Sequence, residues 1–241
     1  MRIGVAECAF GIGRTGVTEA PSGCSSKLDE VTATAADYAW VGQWINGLSG
    51  AYCLTLARGL TPAQFLVRLG ARTEAPSFTG AELNLPSFEA WNRYQGNALL
   101  IGATTIHGAD ADWALGLEVN GFLGVTPAAI VPLSAGTTVV SHHLDVEAAD
   151  DFFWVEDGEI RLYFQPGAPA WREGSTPDAA ADAMRQAGFD LREDSEYDAD
   201  SDVTTEAAFA LAEQLTGVRL TRELLNESVY VSGVAPVPRE G

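Results

Sequence analysis

The sequence predicts an α+β fold, a mostly antiparallel sheet over 51–57 and 98–165 covered on one face by helices from the N- and C-terminal parts. Three observations lead there. Segments of period 2 separated by tight turns fill the middle of the chain, and capped helical segments flank them on both sides. Apolar residues make up 46% of the 241 residues, enough for a sizeable core.

Residues 1–33 are rich in Gly, Ser and Thr and hold no period of 3.6 or 2.0. They read as a mobile arm ahead of a single domain over 34–241. The arm contains Gly11-Ile12-Gly13-Arg14-Thr15-Gly16, a literal G-x-G-x-x-G. Dinucleotide binding needs a helix to open at that loop, so that its N-terminus faces the pyrophosphate. Here Pro21 and Ser22-Gly23 follow at once, and no acidic residue closes a second strand about 20 residues on. The match is a coincidence of glycines.

Regular structure is expected from Thr34, which has capping-box spacing to Asp37, with Tyr38, Val41 and Ile45 as an apolar stripe ending near Gly47. A strand over 51–57 follows. The clearest helix signal comes next: Thr61 caps, Pro62 takes the first position, Gln64 completes the box and Gly70 stops the helix. Residues 71–97, with Pro76, Gly80 and Pro86, read as a long surface connection.

The chain then turns to strands, with 99–103 first. Trp113, Leu115, Leu117 and Val119 alternate on one face, and Asn120-Gly121 predicts a hairpin into Phe122-Leu123. Thr126-Pro127 opens a short helical turn. Asp157-Gly158 is the second hairpin turn, and its register places Phe153 opposite Leu162 and Trp154 opposite Arg161. That register puts Phe153, Val155, Ile160 and Leu162 on one buried face and sets up a Trp154–Arg161 cation–π pair. Ser175 with Asp178, Thr204 and Thr221 start three helices, the first two ending at Gly188 and Gly217, and 229–231 adds a final strand.

Charge is the strongest global signal. Fourteen basic and thirty-three acidic residues give a formal net charge of −19. Such a field repels nucleic acid and anionic membranes, which bind through Lys and Arg, and attracts a basic protein or a cation. The longest apolar run, over 97–106, is far too short to cross a bilayer. The first residues make a poor secretory signal, since Glu7 interrupts a short apolar stretch. A cytoplasmic location is expected. Cys8, Cys24 and Cys53 are odd in number and widely spaced, which suits reduced thiols better than disulfides or zinc.

The chemistry-bearing residues are sparse. His142 and His143 are neighbours in a strand and point to opposite faces, so they cannot chelate one metal. His142 shares its face with Val140, Leu144 and Val146 and reads as a hydrogen-bonded core histidine, whereas His143, with Ser141 and Asp145, reads as polar surface. His107 lies among Asp110 and Asp112 without the second histidine a metal site wants. There is no G-x-S-x-G elbow, P-loop, kinase set or H-E-x-x-H helix, and no cysteine beside a plausible base. No catalytic residue, metal or cofactor is expected.

An acidic run includes Asp194, Glu196, Asp198, Asp200 and Asp202. It imitates half of a calcium loop, but Val203 stands where the loop needs Gly and Phe209 where it needs Glu. The run reads instead as a solvated strip suited to docking a basic partner.

Several stretches also carry a resemblance. They are Tyr52-Cys53-Leu54-Thr55-Leu56-Ala57-Arg58-Gly59-Leu60-Thr61-Pro62, the 113–124 segment with Glu118-Val119-Asn120-Gly121, Leu133-Ser134-Ala135-Gly136-Thr137-Thr138, the turn at Asp157-Gly158, and Ala212-Glu213-Gln214-Leu215-Thr216-Gly217-Val218. Over roughly 36–226 the chain resembles a family of uncharacterised bacterial proteins, a domain of unknown function. The resemblance implies a stand-alone cytosolic domain and brings no catalytic residue with it. The arm before Thr34 departs from the pattern.

Two functions are expected from this reading. One is a non-enzymatic interaction module, an inhibitor or immunity-type protein for a basic partner. The other is an enzyme or small-ligand binder with a site on the exposed sheet face around Trp113, Glu118 and His143.

Overall fold

The computed structural model describes residues 32–73, 76–147, 149–192 and 203–238. All but the last two residues of the expected arm, 1–33, lie outside them, as do Asp194, Glu196, Asp198, Asp200 and Asp202. The capping signals near the start act as the spacing predicts. Thr34 donates from both its backbone N–H and its hydroxyl to Asp37 Oδ2, at 2.9 and 3.0 Å. This closes one 3-10 turn over Ala35–Tyr38 before α1 (Val41–Gly47), and Tyr38, Val41 and Ile45 are all buried. Strand β1 (Tyr52–Arg58) leads to α2 (Pro62–Arg68), where the Thr61 N–H donates to Gln64 Oε1 at 2.9 Å and the Gln64 N–H returns a bond to Thr61 Oγ1.

The stretch expected as a surface connection is instead structured. It forms β2 (Phe78–Thr79), a 3-10 turn over Gly80–Glu82 and α3 (Asn84–Tyr94). Pro86 misled the sequence reading, because it sits in the first turn of α3, where backbone N–H groups have no acceptor within the helix.

Next come β3 (Ala98–His107), β4 (Asp112–Val119), a 3-10 turn over Leu123–Val125, and α4 (Pro127–Leu133). Asn120 adopts the positive φ of 53° expected of a turn residue, yet no hairpin follows. The side chain of Glu118 takes the N–H groups of Leu123 and Gly124 and bends the chain across the sheet. Strands β5 (Thr138–Leu144), β6 (Asp150–Glu156), β7 (Glu159–Phe164) and β8 (Arg172–Glu173) complete the middle of the chain. Helices α5 (Ala181–Ala187), α6 (Thr204–Thr216) and α7 (Arg222–Glu227) and strand β9 (Val229–Pro236) end it. Helix α5 starts later than the Ser175–Asp178 spacing suggests, since Asp178 accepts from Arg172.

Among the described residues the strands form one antiparallel sheet in the order β2-β9-β3-β4-β1-β5-β6-β7-β8. The protein is therefore α+β. Helices from both ends of the chain pack on one face, the helix-layer face, where Tyr52, Leu54, Leu115, Leu117, Phe152 and Phe209 share a core. The opposite face is not left bare. Phe65 and Leu66 of α2, with Ile130 and Leu133 of α4, cover its centre against Leu99, Ile101, Ala114 and Val139. Gly116 permits this approach, because a Cβ there would lie 2.4 Å from the Phe65 ring.

The hairpin of β6 and β7 turns where the sequence places it, with Asp157 and Gly158 at φ of 46° and 81°. Its register differs. Val155 pairs with Ile160, but the next pairs are Trp154 with Leu162 and Phe153 with Tyr163. A bulge has made Arg161 the extra residue, and beyond it every β7 side chain swaps face. Leu162 thus joins the helix-layer core, away from Phe153 and Val155. The expected Trp154–Arg161 stack does not form: Trp154 Nε1 donates to Glu156 at 3.2 Å, and Arg161 turns to Glu156 and Glu159. The outer edge of β7 is closed by Ser175 and Thr176, whose N–H groups donate to the carbonyls of Ile160 and Arg161.

Candidate functional site

The sheet places polar side chains in three groups. Trp113, buried on the helix-layer face, belongs to none of the groups on the opposite face, where Glu118 and His143 lie. The pocket of Trp113, Glu118 and His143 therefore does not exist, for the physical reason that residues an odd number apart on β4 point to opposite sides.

The first group is in the helix-layer core. Tyr52 hydroxyl lies 2.7 Å from His142 Nδ1, and His142 Nε2 lies 2.6 Å from Asp150 Oδ1. Tyr52 is fully buried and His142 nearly so, which matches a hydrogen-bonded core histidine. Burial pushes the Tyr52 phenol well above its ordinary range, helped by the nearby Asp150 charge. The tyrosine therefore keeps its proton and can donate to Nδ1 of a neutral imidazole that carries its hydrogen on Nε2, toward Asp150.

The second group runs across three strands on the opposite face. Cys53 of β1 pairs with Glu118 of β4 on one side and with His143 of β5 on the other. Sequence spacing alone put no base beside a cysteine; strand pairing supplies two candidates. Cys53 Sγ is 3.6 Å from Ser141 Oγ, which is 3.0 Å from Thr55 Oγ1 and donates to the Leu54 carbonyl at 2.9 Å. Burial pushes the Cys53 thiol well up, with the Glu118 charge adding to it, so this is a thiol and no activated nucleophile. Burial likewise raises the Glu118 carboxyl to about 7, against the opposing pull of the N–H groups of Leu123 and Gly124, both at 3.1 Å. His143 is buried rather than on a polar surface, because Asp151 of β6 and the sheet enclose it; burial pushes its imidazole down. Its Nδ1 has no hydrogen-bond partner and sits 3.9 Å from Asp151 Oδ2.

The third group opens to solvent. Beyond the rim of α4, an open cleft of about 490 Å³ lies over β6 and β7. Val125, Phe153 and Ile160 form its apolar side, and Asp151, Tyr163 and Glu173 its polar side. The Tyr163 hydroxyl donates to Asp151 Oδ1 at 3.0 Å, and its ring lies against Phe153 at 4.6 Å between centroids. Burial, the Asp151 hydrogen bond and the Asp151 and Glu173 charges push Tyr163 up to about 12. None of Asp151, Tyr163 and Glu173 was legible as a site residue, since the bulge at Arg161 decides that Tyr163 faces Phe153.

His107 is exposed and bonded to Asp112 at 2.6 Å. Among the described residues no group of three His, Cys, Asp or Glu side chains could hold a metal ion. Among them, too, no helix is long and apolar enough to cross a membrane.

Fold and site together define an α+β protein whose antiparallel sheet carries a buried polar row on one face and an acidic, aromatic cleft beside it. Residues 31–239 match the family of unknown function DUF6461, and the chain belongs to that family. The match extends beyond the 36–226 over which the resemblance was legible. No curated protein and no solved structure matches the chain.

Proposed function

We propose that this protein is a non-enzymatic, cytoplasmic interaction module, of the inhibitor or immunity type, for a basic protein partner. One observation carries the reading: carboxylates outnumber cations by thirty-three to fourteen, and six arginines among the described residues are already held within the chain. Arg161, Arg172, Arg185, Arg192 and Arg219 each pair with a carboxylate of this chain, and Arg68 donates to the carbonyls of Leu133 and Ala135. With a net charge of −19, the outward field is negative. Nucleic acid and anionic membranes are excluded by the same field.

The test is a pull-down from native lysate with the protein as bait. A distinct basic protein is expected, released as salt rises, because exposed charges are screened over about 8 Å at physiological ionic strength. Neutral isosteres at Asp194, Glu196, Asp198 and Asp200 should slow association without unfolding the protein. Recovery of no basic protein, or of one indifferent to salt, removes the reading.

A second reading, a small-ligand binder on the same sheet face, is favoured by the row of Glu118, Cys53 and His143. The turn over Leu123–Val125 covers that row, so ligand entry requires the turn to lift. A thermal shift with a metal or metabolite panel, and no protein partner, is the outcome that selects it.

A further inference from the structure

We propose that the cleft over β6 and β7 is a receptor for an arginine side chain presented by a basic protein. The inference rests on the interaction reading above and names the place and the chemistry. Four features of the cleft fit a guanidinium. Its lining includes the tilted aromatic pair of Phe153 and Tyr163, whose Tyr163 ring gives a planar cation an aromatic neighbour. Asp151 and Glu173 put two carboxylates at its polar side, and no arginine or lysine among the described residues pairs with either.

The third feature lies behind Asp151. The His143 side chain is nine-tenths buried, its Nδ1 has no partner, and that nitrogen faces the Asp151 carboxylate from within the sheet. A buried polar atom left unbonded costs stability, and its persistence beside a solvent-facing carboxylate marks a half-made network. A guanidinium seated on Asp151 supplies the full positive charge that this carboxylate lacks within the described fold. Asp151 accepts from Tyr163 through Oδ1, so Oδ2 is the oxygen left for the cation. The fourth feature is Trp171, two residues before Glu173 in the chain and 74% exposed, since tryptophan is enriched in protein-binding hot spots.

The experiment uses two blocked peptides, Gly-Arg-Gly and the same peptide with citrulline, which keeps the shape of arginine and loses its charge. In an NMR titration of the full chain, the arginine peptide should shift the amide signals of Phe153, Tyr163 and Gly174, and the citrulline peptide should not. Glu173→Gln makes a clean variant, because the Glu173 side chain holds no hydrogen bond within the described fold; it should weaken binding about tenfold, the worth of one charge-assisted contact. Asp151→Asn keeps an acceptor for Tyr163 and should weaken it at least as much. Equal binding of the citrulline peptide, shifts confined to other surfaces, or indifference to both variants overturns the inference. If the peptide fails while a salt-sensitive basic partner is still captured, the cleft assignment falls and the interaction reading stands. Loss of both overturns the two together.

Discussion

Glu118 and Gly124 are locked together across the sheet face: the carboxylate accepts the Gly124 N–H at 3.1 Å through Oε1 and the Leu123 N–H at 3.1 Å through Oε2. This one side chain turns the chain after β4 away from a hairpin and lays the 3-10 turn over the buried polar row. It does so from a site so dry that its pKa rises to about 7.

A pH dependence of stability follows. The folded-state pKa of Glu118 is raised above its ordinary value of 4.5, so between about 4.5 and 7 the folded protein binds more protons than the unfolded chain. The contribution is fully present below the lower value and is lost as pH rises through about 7. His143 works in the opposite sense, since burial lowers its pKa and protonation opposes folding below about 6.5. Chemical denaturation of the wild type and of Glu118→Gln across this range separates them. The difference in stability between the two should change with pH; a constant difference would mean that Glu118 titrates normally.

Gly124→Ala should destabilise by about 2–3 kcal/mol. The added Cβ would fall 2.0 Å from Thr55 Oγ1, 2.5 Å from Ser141 Oγ and 2.7 Å from Cys53 Sγ, three atoms fixed in the sheet. Urea unfolding reads the loss, and an unchanged midpoint would show that the turn stands further from the sheet.

The bulge can be checked through the two residues it separates. Phe153→Ala should cost about 3 kcal/mol and alter the environment of Tyr163, its stacking partner. Leu162→Ala, on the other face among Phe152 and Phe164, should cost as much and leave the Tyr163 signal in place. Tyrosine side-chain NMR of both variants distinguishes them. A Tyr163 signal unmoved by the Phe153 change would restore the unbulged register, in which Phe153 faces Leu162.

Tyr52→Phe removes the hydrogen-bond partner of His142 Nδ1 and leaves a buried ring nitrogen unbonded, which should cost about 1–3 kcal/mol. Thermal unfolding checks it. A neutral substitution would mean that the histidine is held by Asp150 alone.

Much of the fold is legible in local pattern. Thr61, Pro62 and Gln64 specify α2 because a cap, a fixed φ and a returning side chain act within four residues. The alternation from Trp113 to Val119 and the turn at Asp157-Gly158 are short-range for the same reason. His142 was legible as a core residue because its strand neighbours on that face are apolar. The functional face was not. Whether Cys53 meets Glu118 and His143 depends on which strands flank β1, and β5 joins it from about ninety residues along the chain. Whether Tyr163 meets Phe153 depends on one extra residue at Arg161, and no local preference encodes a bulge against an edge held by Ser175 and Thr176. Even Asn120-Gly121, a strong turn signal, yielded to two hydrogen bonds from the Glu118 side chain. By itself the sequence determined the fold class, the capped helices α2 and α7, the turn positions and the negative field of the molecule, since propensity and charge act locally or add without regard to geometry. The tertiary structure alone decided the order of the strands, the burial of His143 and the cleft of Asp151, Tyr163 and Glu173, because those depend on contacts between segments far apart in the chain.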